Sequence, residues 1–159
     1  LGEYMAGGII IVLVVHHTGE AVGNFIGSGM VGGKIFIRGK VASSKIGLQP
    51  PKNEVTRFLK GLMLEGLISQ DEYYTLKNNE YIDLFDRINN KAKGYAKRLY
   101  EEGIGIPQYE YRELNEEEFK EIMPVVEDFS SEFNDAFYTE LLKDKFTVIA
   151  PRKLYLDFL

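Results

Sequence analysis

Residues Gly27–Val41 read GSGMVGGKIFIRGKV, and the interpretation of this stretch decides the fold. Its first half is dense in glycine, while Lys34 to Ile37 alternates like a strand. An earlier stretch, Met5–Val12, reads MAGGIIIV and repeats the unit. Met5-Ala6-Gly7-Gly8 recurs as Met30-Val31-Gly32-Gly33, 25 residues later, and each copy leads into a β-branched run. A second pair, Val22-Gly23 and Ile46-Gly47, recurs at a spacing of 24. Repeats at such periods mark stacked architectures, in which each unit buries its neighbour's apolar side chains. The pattern predicts a β-solenoid remnant over residues 1–49. Gly7, Gly8, Gly23, Gly27, Gly29, Gly32, Gly33, Gly39 and Gly47 are its structural glycines, shaping corners and close backbone approaches. Leu1-Gly2-Glu3-Tyr4 enters a repeat partway through, so further rungs are expected before it.

Working outward, the run Ile9–Val15 is continuously apolar, as a strand covered on both faces would be. Pro50-Pro51 closes the glycine-rich part, and residues 50–159 read as a helical extension with a short terminal strand. Asn53 is the expected N-cap of a first helix, whose apolar face holds Val55, Phe58, Leu59, Leu62, Met63 and Leu67. Ser69 with Glu72 forms a capping box that opens a second helix. Leu84, Phe85, Ile88, Ala92, Tyr95 and Leu99 predict a third, from Tyr81 to Glu102, with Gly103 as its C-cap. Tyr109–Glu113 alternates like a strand, and Asn115 with Glu118 is a second capping box. Pro124 is expected to end that helix or open another. Phe129, Phe133, Phe137 and Leu141 recur every fourth residue, and Phe146–Ile149 predicts a terminal strand.

The whole chain bounds its chemistry. The net charge is -5 and no basic stripe is present, which argues against nucleic acid as a partner. There is no cysteine, which removes disulfides, a thiolate nucleophile and Cys-ligated metal, and fits a cytoplasmic location. No apolar run approaches the roughly 20 residues that span a bilayer, so no membrane is expected.

Each motif with chemical potential has a plainer explanation. Gly27-Ser28-Gly29-Met30-Val31-Gly32 matches GxGxxG, but a strand pattern follows it where a dinucleotide site needs a helix N-terminus. His16-His17 are neighbours whose side chains diverge in a strand, so they cannot readily chelate together. Glu116-Glu117-Glu118, with Glu121, read as a solvated first helical turn that complements the dipole. Ser43-Ser44-Lys45 lacks the SxxK or GxSxG spacing of a hydrolase and reads as a turn. Catalytic, cofactor-binding and metal-binding residues are therefore each expected to number none in this chain.

The elements Val22-Gly23, Gly27, Gly29, Met30, Gly32-Gly33, Ile35, Ile37, Gly39 and Ile46-Gly47 together resemble the GXGXG domain of glutamate synthase. The ending Phe146-Thr147-Val148-Ile149-Ala150-Pro151-Arg152 is similar to that of the glutamate synthase large chain. The glycine repeat is shared with the C subunit of formylmethanofuran dehydrogenase. The resemblance implies a single-stranded right-handed parallel β-helix followed by the helical region. It also implies a non-catalytic structural subunit of a glutamate biosynthesis complex. Such a subunit holds amidotransferase and FMN/iron–sulfur synthase parts in register, with those cofactors only in the partner subunits. Protein partners, and self-association through exposed ladder ends, follow from it. A formylmethanofuran dehydrogenase-type scaffold is the alternative complex. An independent esterase-like enzyme using Ser43 or Ser44 is the alternative from another class.

Overall fold

The computed structural model describes residues 1–15, 22–95, 106–133 and 137–152. In chain order it contains β1 (Ala6–Val12), β2 (Gly32–Arg38), α1 (Lys52–Leu64), α2 (Gln70–Leu76), α3 (Tyr81–Arg87) and α4 (Asn90–Tyr95). There follow β3 (Gln108–Glu113), α5 (Glu116–Glu132), α6 (Phe137–Glu140) and β4 (Lys145–Ala150). Single 3-10 turns cover Ser43–Lys45 and Leu141–Lys143.

The four strands form one mixed sheet in the order β1-β2-β4-β3. This corrects the predicted β-helix. The two copies of the glycine repeat do lie side by side as parallel strands, with Ile10 opposite Ile35 and Ile11 opposite Phe36. The parallel ladder then stops. The far edge of β2 is taken by β4, antiparallel, with Phe36 opposite Val148 and Ile37 opposite Thr147. β3 pairs with β4 antiparallel in turn. Beyond β1–β2 and its lead-in, the described residues of the repeat segments show one isolated parallel bridge, Ile26 to Ile46. A solenoid needs every rung to offer its ladder to the next, and a strand from the C-terminal stretch occupies that position instead.

Burial explains why β4 wins it. Phe146, Thr147 and Ile149 are fully buried and Val148 nearly so. The side chains of β2 and β4 alternate between two cores. Ile35, Ile37 and Ile149 face one formed with Val55, Leu59 and Leu62 of α1, Ile82 and Leu84 of α3, and Ile88 just after it. Phe36, Phe146 and Val148 face another formed with Ile122 and Val126 of α5 and with Leu142. A strand covered on both faces has no polar side to show, which is why these strands read as unbroken apolar runs. The buried Thr147 is satisfied locally. Its hydroxyl donates to the Gly39 carbonyl at 2.7 Å and accepts from the Val41 amide at 3.0 Å.

The helices depart from the sequence reading at their ends. α1 starts at Lys52 with Pro51 as its N-cap, two residues before the expected Asn53 cap. The Ser69–Glu72 and Asn115–Glu118 capping boxes are both formed. The expected long helix from Tyr81 breaks at Ile88, whose backbone is extended (φ -71, ψ 133). Asn89 restarts it, because its Oδ1 accepts from the Ala92 amide at 2.9 Å. Its further course and the Gly103 cap lie outside the described residues. α5 runs straight through Pro124. Burial of Ile122 and Val126 on the sheet outweighs the missing proline N–H. Phe129, Phe133 and Phe137 do not form a buried stripe and are 47%, 62% and 46% exposed.

Candidate functional site

The sheet ends in two edges of opposite character. β3, QYEYRE, carries Glu110, Arg112 and Glu113, the charged protection that keeps an edge from pairing with other chains. β1, AGGIIIV, carries no charge. Among the described residues it pairs on one side only. Its residues are exposed or half-buried, whereas Ile35, Phe36 and Ile37 of β2 are fully buried. Tyr4, two residues before β1, is 80% exposed. An uncharged strand with one unpaired side is a surface for a polypeptide rather than for a small molecule.

The glycines show how this edge is made. The strand pairing continues upstream, since the Tyr4 amide donates to the Ser28 carbonyl at 2.8 Å and the Gly27 amide to the Leu1 carbonyl at 2.9 Å. Gly27 and Gly29 lie in this lead-in, while Gly7, Gly8, Gly32 and Gly33 lie inside strands and not at corners. Gly8 and Gly33 share a positive φ, 82 in each. Gly32 has an ordinary φ, but a Cβ there would lie 2.1 Å from the Ala6 carbonyl oxygen. The first repeat copy thus sits directly on the second. Gly39 caps β2, its amide donating to the Lys145 carbonyl at 2.9 Å. Gly47 donates to the Ile26 carbonyl at 2.8 Å, and a Cβ at Gly23 would meet nothing within 4 Å.

A polar cluster lies where α5 meets the sheet. Arg112 holds Glu118 through two hydrogen bonds, Nη1 to Oε2 at 2.6 Å and Nη2 to Oε1 at 2.9 Å. Lys34 of β2 approaches Glu118 at 4.0 Å and Glu121 at 3.7 Å. The side chain of Glu118 is only 3% exposed, which corrects the expectation of a solvated acidic turn. Glu116 and Glu117 are exposed as expected. The Arg112 hydrogen bonds, helped by the Asn115 amide, hold the Glu118 carboxyl below its usual range against the cost of burial. Each charge is answered within the cluster, so it is a structural brace. Its partner Arg112 had no signature in the sequence, because six residues and a turn separate it from Glu118.

Other candidates resolve similarly. Ser43 and Ser44 sit on a 3-10 turn, and Lys45 Nζ donates to the Val22 carbonyl at 3.2 Å. The glycine loop 27–32 runs into β2 and not into a helix. A shallow depression of about 210 Å³ is lined by Arg38, Gly39, Tyr111, Asp144 and Lys145. Arg38 spends its donors on Asp144, at 2.7 Å from Nε, and on the Val14 carbonyl. Among the described residues no group of three or more His, Asp or Glu side chains is placed to hold a metal. His16 and His17 lie outside the described residues. No described helix is long and apolar enough to cross a membrane.

One titration follows from β3. The Tyr109 hydroxyl donates to Asp83 Oδ1 at 2.8 Å, and burial together with that carboxylate pushes its pKa up to about 12. Unfolded tyrosine loses its proton near pH 10, so the folded chain holds this proton more tightly. The resulting stability is complete below about pH 10 and is lost as pH rises through about 12. Urea unfolding across that window is expected to show a falling midpoint, with a shallower fall in Tyr109→Phe. Equal slopes in the two proteins would contradict the assignment.

Comparison with known proteins adds little to this geometry. No family model matches the chain, and no solved structure matches it. An uncharacterized protein of Methanocaldococcus jannaschii is 45% identical over 60 residues, which is 35% of this chain. The match spans 23% of that relative's own length.

Proposed function

We propose that this chain is a non-catalytic assembly subunit of a cytoplasmic, glutamate synthase-like complex. Its task is to seat catalytic partners, with FMN and iron–sulfur centres carried by those partners and not by this chain. The observation that carries the reading is the uncharged, one-sided edge of β1, set against the charged edge of β3. A sheet with one guarded edge and one bare edge is built to receive polypeptide at the bare one. The glycine repeat that forms β1 and β2 supplies the link to glutamate synthase through the residues from Val22 to Gly47 that resemble its GXGXG domain.

The test is purification of the full natural protein from its own cells under mild conditions. The expected product is a complex with visible flavin and iron–sulfur absorption and stoichiometric iron. A complex free of flavin and iron would overturn the glutamate synthase-like assignment. Molybdopterin in its place would move the chain to the formylmethanofuran dehydrogenase type of scaffold.

A further inference from the structure

We draw no further inference here: the strongest candidate, the exposed aromatic cluster of Phe129, Phe133 and Phe137 where α5 ends and α6 begins, carries nothing because no feature of the structure shows what covers it.

Discussion

Gly32→Ala is expected to cost at least about 3 kcal/mol, lowering the thermal midpoint by roughly 6–12 °C for a chain of this size. Its added methyl would stand 2.1 Å from the Ala6 carbonyl oxygen and 2.8 Å from the Ala6 carbonyl carbon, neither of which is a side chain that can rotate away. The β1–β2 ladder must shift where it begins, and Ile10, Ile11 and Val12 lose register with Ile35, Phe36 and Ile37. Gly7→Ala is the matched control. The same chemical change at the repeat partner meets open space at an ordinary φ. It is expected to be neutral or to stabilise the free chain by up to about 1 kcal/mol, through the unfolded state. Thermal unfolding of the two variants in parallel reads the contrast directly, and equal effects would mean that β1 does not sit on β2 as described.

Glu118→Gln is expected to remove about 2–3 kcal/mol at neutral pH, the cost of leaving Arg112 without its bidentate carboxylate. Glutamine keeps a side chain able to reach the Asn115 amide, so the capping box survives in form and the loss reports the charge. The pH dependence has a fixed sign. Glu118 is held below its usual range in the folded chain, so its contribution is present above the unfolded carboxylate pKa, near 4.3. That contribution fades as pH falls through the lowered folded value. Denaturant midpoints measured from neutral to acid pH should converge for wild type and Glu118→Gln at the acid end. Curves that stay parallel would show that the carboxylate does not brace the sheet to α5.

The local grammar of this fold was legible in the residues. Both capping boxes, the strand at Tyr109–Glu113 and the strand around Phe146–Ile149 follow from short-range patterns that the structure keeps. The relation between the two glycine copies was legible too, because identical close-approach residues at one spacing place two strands side by side. What the pattern could not show is which strand takes the other edge of β2. That contest is settled by burial across more than a hundred residues, where Phe146 and Val148 fill the space under α5. The helix break at Ile88 stayed hidden for the opposite reason, since the apolar period continues through it while Asn89 caps a new start. At the candidate site the glycine count was visible but not its asymmetry. Gly7 and Gly32 are alike in sequence and differ only in what lies against them.

The most direct test of the account is amide hydrogen exchange on β1, compared between the isolated chain and the native assembly. The account predicts that half of the amides from Gly7 to Val12 exchange freely in the isolated chain, while those of β2 and β4 are protected. In the assembly the β1 amides become protected as polypeptide pairs with them. Full protection of β1 in the isolated chain, or no change on assembly, would contradict it.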